Sequence, residues 1–315
     1  MGHHLSVMRQ QHLPYKTAFT AKQMPDLTGR VAIVTGGNSG IGRATMKSLL
    51  NRNAKAYMAS RSRSRAEKAI RELREETGKE ASFLELDLSS LRSVQQAAKT
   101  FLSKEQELHI LFNNAGLMPT SMDKLTTEGY DMQYGTHVLG HFLFQELLLD
   151  ALTSGTSSSP DKHTRIITTT SSGAHLSTVN FGTLRDGPER RKVRLDNLYF
   201  QSKFLNGVVA YESARRYAKR KVLSFSVDPG SVRTEFFRNH PPAIRRIVEK
   251  FCVSPEQGAV SLLWAGTMPE AIQHNGQYIV PWAHVGRCRK EMYDRALGEQ
   301  VWETLSEHSE DYRSL

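Results

Sequence analysis

The chain has 315 residues, 39% of them apolar and 23% charged, enough to bury a sizeable core in one large α/β domain or two small ones. Its net charge of +10 fits either a soluble basic surface or attraction for an anionic ligand such as a phosphorylated cofactor. The basic residues are dispersed and follow no zinc-finger or basic-zipper spacing, which argues against nucleic acid. Cys252 and Cys288 stand outside any Cys/His cluster, which argues against structural zinc.

The N-terminus carries no apolar stretch of signal-peptide length, and residues 1–25 read as a tail that packs on the domain or frays. VAIVT (31–35) reads as a buried parallel strand and IGRATMKSLLNRN as the helix after it. AKAYMAS is a second strand, followed by a polar-faced helix closed by Gly78. ASFLELDL is the third strand, then a helix with Ser89 or Ser90 as N-cap, then LHILFNNAG as the fourth.

A long helix is expected from Thr126 or Thr127 to about Asp150. Its greasiest part, FLFQELLLDAL, is broken by Gln145 and Glu146 and is too short to span a bilayer, so no integral membrane segment is expected. SGTSSSPD (154–161) reads as a loop and TRIITTTSS as the fifth strand. DGPERRKVR (186–194) reads as a surface segment, with a lipid-surface or partner role as the alternative. LYFQSKFLNGVVAYESARRYAKR is a helix and VLSFSVDPG the sixth strand.

Phe236 and Phe237 precede an amphipathic pattern at Ile244, Ile247, Val248 and Phe251, readable as a cover for a lipophilic substrate or as core packing. Ser254, Pro255 and Gln257 form a capping-box helix start, GQYIVP is a seventh strand, and GRCRKEMYDRALGEQVWETLSE is helical. This alternation predicts one α/β domain over 26–286, a Rossmann-type doubly wound parallel sheet of about seven strands, with 287–315 as a helical extension packing on it.

Gly36, Gly40 and Gly42 fall between the first strand and its helix. Glycine lets backbone approach a ligand, and a helix N-terminus offers N–H groups to a pyrophosphate; a ligand-free glycine turn would look similar. The second strand ends in Arg61, Arg63 and Arg65, with no carboxylate to hold a ribose 2′-hydroxyl. Arg61 suits a 2′-phosphate, so NADP(H) is preferred and NAD(H) stays open. Tyr199 and Lys203 are i and i+4 on one helix face, where an ammonium favours a phenolate. Ser171 and Ser172 close the fifth strand at the sheet edge where such folds bind ligands.

Together these features resemble the short-chain dehydrogenase/reductase family. The match rests on Thr35-Gly36-x-x-x-Gly40-x-Gly42, Asp87 in LELDLSS, NNAG at 113–116, Ser172, Tyr199-x-x-x-Lys203 and DPGSVRT at 228–234. LGHF (139–142) and SSGAH resemble its retinol-dehydrogenase-like and WW-domain-oxidoreductase-like branch, to which many fungal reductases belong; a fungal member with a role in secondary metabolism is the expectation. The resemblance implies Tyr199 as proton donor and acceptor, Lys203 lowering its pKa and binding the nicotinamide ribose, and Ser172 orienting the substrate oxygen. It implies Gly36, Asn38, Ser39, Gly40, Ile41 and Gly42 around the pyrophosphate, Asp87 and Leu88 at the adenine, and Asn114, Ala115 and Gly116 along the cofactor. Pro229, Gly230, Val232 and Thr234 would lie near the carboxamide. The expected substrate is a small carbonyl/alcohol pair, with no metal, and the protein a cytoplasmic enzyme that can homodimerise. The same fold could instead serve as an NADP(H)-binding sensor or scaffold, or as a non-redox lyase or isomerase.

His137 stands where the resemblance leads one to expect an Asn that helps hold a water linking the lysine to solvent. It is counted here among the catalytic residues, as an imidazole able to carry protons or to block the water. His137 and His141 have metal-binding spacing but no third ligand in sight. Asp228 replaces a more usual His or Asn and reads as a turn-stabilising side chain.

Overall fold

The structure is a computed structural model that describes residues 17, 19–119, 121–233 and 252–315. Five consecutive apolar or β-branched residues make β1 (Val31–Thr35), buried throughout as a central parallel strand must be. Its side chains alternate between faces: Val31 and Ile33 join one hydrophobic core, Ala32 and Val34 the other. Then follow α1 (Gly40–Asn51), β2 (Lys55–Ser60), α2 (Arg63–Thr77), β3 (Ser82–Glu85), α3 (Leu91–Leu102) and β4 (Ile110–Asn113). In α3 the stripe Leu91, Val94, Ala97, Ala98 and Phe101 is buried, and Ser90 caps the helix by accepting from the Ser93 N–H.

The chain continues through α4 (Gly140–Leu147), α5 (Leu149–Ser158), β5 (Thr164–Thr169), α6 (Pro188–Arg191), α7 (Leu195–Arg216), β6 (Val222–Val227), α8 (Pro255–Thr267), β7 (Tyr278–Val280), β8 (His284–Gly286) and α9 (Arg295–Ser309). The strands form one sheet in the order β3-β2-β1-β4-β5-β6-β7-β8. All neighbours are parallel except β7 and β8, which pair antiparallel. The order reverses between β1 and β4, and ligands bind beyond the strand ends at such a switch point.

Several expectations need correction. The sheet has eight strands among the described residues, because His284–Gly286 turns back onto β7. The helix expected from Thr126 or Thr127 begins at Met132. Gly129, at φ +80°, closes a turn first, and Asp131 then caps the helix by accepting from the Gln133 and Tyr134 N–H groups. The helix is also interrupted, by a π turn over Gly135–Leu139 and by a break at Leu148. More than half of the expected 154–161 loop is helical, since α5 runs to Ser158. Gly155 lets that helix approach the chain just before β4 closely: a Cβ there would sit 2.5 Å from the Leu108 carbonyl oxygen. The 186–194 segment is not wholly surface, because Arg190 is buried and pairs with Asp131 at 2.9 Å. The C-terminal stretch is not one helix: β8 and a 3-10 turn, Lys290–Tyr293, precede α9.

Candidate active site

The carboxyl ends of β1, β2, β4, β5 and β6 open into one cleft of about 630 Å³. At its centre the chain leaves β1 through Gly36 (φ +68°) and enters α1 through Gly40 (φ +51°), two conformations costly for any residue with a Cβ. Gly42 has no room for one: a Cβ would lie 2.3 Å from the Gly36 carbonyl oxygen and 2.7 Å from Asn114 Nδ2. Ser39 precedes α1 in an extended conformation and makes no side-chain cap bond. Gly36, Asn38, Ser39, Gly40, Ile41 and Gly42 all line the cleft. This backbone cradle at a helix N-terminus fits the pyrophosphate of a dinucleotide.

Asn114 ties β4 to β1. Its N–H donates to Thr35 Oγ1 (2.9 Å) and its Nδ2 to the Thr35 carbonyl (2.8 Å). Asp87 Oδ1 accepts from the Ser89 N–H (3.0 Å) and hydroxyl (2.6 Å), and its Oδ2 lies 4.0 Å from Arg61. Arg61 and Arg65 line the cleft, whereas Arg63 turns away to Glu85 at 3.2 Å. Leu88, Ala115, Gly116, Pro229, Gly230 and Val232 line it as well; Thr234 and the amphipathic stretch ending at Phe251 lie outside the described residues. Asp228 does stabilise its turn, accepting from the Gly230 N–H at 3.0 Å.

Tyr199 and Lys203 project from the first turns of α7, and the end of β5 is stitched to that helix. Thr170 Oγ1 donates to the Lys203 carbonyl (2.8 Å), and Asn206 Nδ2 to the Thr169 carbonyl (3.0 Å). Lys203 Nζ donates to the same carbonyl (3.2 Å) and lies 5.8 Å from the Tyr199 ring centre. The hydroxyl bonded to Tyr199 belongs to Ser171, one residue before the serine the motif picked out. Ser171 is still extended (φ −167°), whereas Ser172, also on the cleft wall, begins the 3-10 turn Ser172–His175. In TTTSS nothing local marks where the strand ends, so neither serine is favoured by composition.

Burial pushes the Tyr199 phenol up to about 12, the Ser171 bond opposing this and the Asp228 charge adding to it. Burial also pushes the Lys203 ammonium down to about 8. With burial as the first cause, Tyr199 holds its proton at neutral pH.

His137 is fully buried in the π turn. Its Nε2 accepts from the Leu117 N–H (2.9 Å), its Nδ1 lies 2.8 Å from Ser202 Oγ, and its ring meets that of Tyr199 edge-on at 5.9 Å. His141 Nδ1 faces the His137 carbonyl (2.9 Å) and its Nε2 faces Thr35 Oγ1 (2.8 Å), so protein partners occupy the nitrogens of both rings. No motif pointed to Leu117, Met118, Thr136, Asp196 or Phe200, which also line the cleft. Asp196 and Phe200 could have been found from their place beside Tyr199, at i−3 and i+1 on the same helix.

An eight-stranded Rossmann-type sheet with a glycine turn and a Tyr–Lys pair in one cleft defines a class, and the comparisons agree with it. Residues 30–183 match the family model described as short chain dehydrogenase. A short-chain dehydrogenase/reductase of Armillaria gallica is 47% identical over 312 residues, 99% of this chain and 100% of the relative. Retinol dehydrogenase 11 of Mus musculus is 38% identical over 242 residues, 76% of this chain and 73% of the relative. Among solved structures, an uncharacterised protein of Mycobacterium paratuberculosis matches with a TM-score of 0.72 at 25% identity, covering 93% of this chain and 98% of its own. The chain belongs to the short-chain dehydrogenase/reductase family, and is an NAD(P)-dependent oxidoreductase.

Proposed function

We propose that this oxidoreductase interconverts a carbonyl and an alcohol on a lipophilic small molecule, with NADP(H) as the preferred cofactor. The observation that carries the reading is the placement of Tyr199, bonded to Ser171 and one turn from Lys203, in the cleft that also holds the glycine turn. When bound, the nicotinamide supplies or accepts the hydride. In the reducing direction Ser172, or its neighbour Ser171 on the same cleft wall, orients the substrate oxygen and Tyr199 gives it a proton. The Lys203 ammonium then stabilises the phenolate left behind. The phenol raised to about 12 and the ammonium still charged at pH 7 are the forms this direction needs.

Two arginines on the cleft wall and no carboxylate over residues 60–65 support a 2′-phosphate, hence NADP(H) over NAD(H). Leu117, Met118 and Phe200 support an apolar substrate. The second reading is a protein that binds NADP(H) without turnover, favoured by the substitution of His137 for the family's Asn. Purified protein with NADPH and a carbonyl panel tests both. Turnover is expected, and Tyr199→Phe should abolish it while leaving NADPH binding intact. NADPH binding with no carbonyl reduced would favour the second reading, and an unchanged kcat in Tyr199→Phe would remove Tyr199 as the acid.

A further inference from the structure

His137 replaces a residue that the family resemblance ties to proton supply, yet its bonds leave no route through the ring. A backbone N–H can only donate, so Nε2, which faces the Leu117 N–H at 2.9 Å, carries no proton. The single ring proton therefore sits on Nδ1 and is donated to Ser202 Oγ at 2.8 Å. Ser202 passes its own hydroxyl proton to the Tyr199 carbonyl at 2.7 Å. The chain of donors runs one way, from Leu117 through His137 and Ser202 to the backbone of Tyr199. To accept a relayed proton, Nε2 of the buried ring would have to give up its bond from the part-buried Leu117 amide.

A second chain fixes the backbone of the same residue. His141 Nδ1 donates to the His137 carbonyl at 2.9 Å, and its Nε2 lies 2.8 Å from Thr35 Oγ1, which is also within donating distance of the Phe112 carbonyl at 3.2 Å. Thr35 Oγ1 also accepts from the Asn114 and Ala115 N–H groups, each at 2.9 Å. His137 is thereby held from the cofactor side, through Thr35 and Asn114, while its ring holds Leu117 and the catalytic helix.

We infer that His137 is a positioning residue, an Nδ1-protonated strut that ties the Leu117–Met118 edge of the cleft to the Tyr199–Ser202 turn and takes no part in proton transfer. The titratable groups facing it are Lys203 and Tyr199 on α7 and His141 on α4. Burial first, then the Lys203 charge, holds its imidazole well below the usual histidine range. An Asn at this position reaches as far as Nδ1 and keeps the Ser202 link but loses the acceptor for Leu117; a Gln reaches as far as Nε2 and does the reverse.

Nitrogen-15 NMR of the histidine rings in the full-length protein reads the tautomer directly, with His137→Asn assigning the signal. The Nδ1-protonated form should persist from about pH 5.5 to 8.5. An Nε2-protonated ring, or an imidazolium forming within that range, would overturn the strut. The kinetic arm rests on the reductase reading. His137→Asn should raise the substrate KM on the order of 10-fold with kcat little changed, because Leu117 and Met118 line the cleft. His137→Gln and Ser202→Ala, which both cut the link to the catalytic turn, should lower kcat by a similar factor. In all three the pH profile should keep the wild-type midpoints, and loss of one limb in the His137 variants would mean the ring does carry protons. Should the wild-type protein reduce no carbonyl, the reductase reading fails while the tautomer still decides the strut.

Discussion

Burial sets the chemistry of single residues in this cleft more than sequence spacing does. Tyr199 and Lys203 are one turn apart, but both are desolvated, and each is pushed toward its neutral form. Below about pH 8 Lys203 is cationic; above it the charge is lost, while the phenol keeps its proton to about 12. NADPH-dependent reduction should therefore fall as pH rises through about 8, measurable as kcat against pH. The same shift acts on stability. Between about 8 and 10.5 the unfolded chain holds the lysine proton and the folded one does not, so the cost of burying this charge lessens as pH rises. Ser171 and Ser172 are the other test at this scale. Ser171→Ala should lower kcat on the order of 10²-fold, since its hydroxyl bonds the Tyr199 phenol, and Ser172→Ala tests the second serine on the cleft wall. Equal losses in single-turnover assays would return the role to either serine.

The elements that build the site do so through their ends. β1 delivers Gly36 and α1 receives Gly40, and Gly42 tolerates no Cβ against the Gly36 carbonyl. β2 ends where α2 begins, and Arg61 and Arg65 fall on the cleft side of that junction while Arg63 pairs outward with Glu85. Arg61→Asp should move the ratio of kcat/KM for NADPH over NADH toward NADH by roughly 10- to 100-fold, since a charge-assisted phosphate contact is replaced by repulsion. An unaltered ratio would count against Arg61. The interrupted helix before α5 matters in the same way. Asp131 caps its first turn and also pairs with buried Arg190, so the 186–194 segment anchors the element that carries His137.

At the scale of the molecule, the C-terminal helix is part of the core. Val301, Trp302 and Leu305 of α9 are buried, Trp302 meeting Phe142 edge-on at 4.9 Å and Tyr217 at 5.8 Å. Arg216 of α7 lies over the same indole at 4.6 Å. The face of α7 opposite the sheet is thus occupied by the chain's own extension. Trp302→Ala should destabilise the fold by about 3–5 kcal/mol, read as a drop in the denaturant midpoint. A loss below about 1 kcal/mol would mean that α9 packs only loosely. Among the described residues no helix is long and apolar enough to cross a membrane.

The sequence alone determined what local chemistry can specify: alternating strands and helices, the glycine turn, the Ser254 cap, the arginines after β2 and the Tyr199–Lys203 pair. Each is set within a few residues, by conformational freedom, hydrogen-bonding side chains or period. Tertiary structure decided what depends on distant partners. The eighth strand exists because β7 offers it an edge, and Arg190 is buried because Asp131 waits 59 positions away. Ser171 and Ser172 share one cleft wall with Tyr199 because β5 and α7 pack together. His137, readable from sequence either as a proton carrier or as a block to the water, has both ring nitrogens engaged, since its partners at Leu117 and Ser202 come together only when the helices pack.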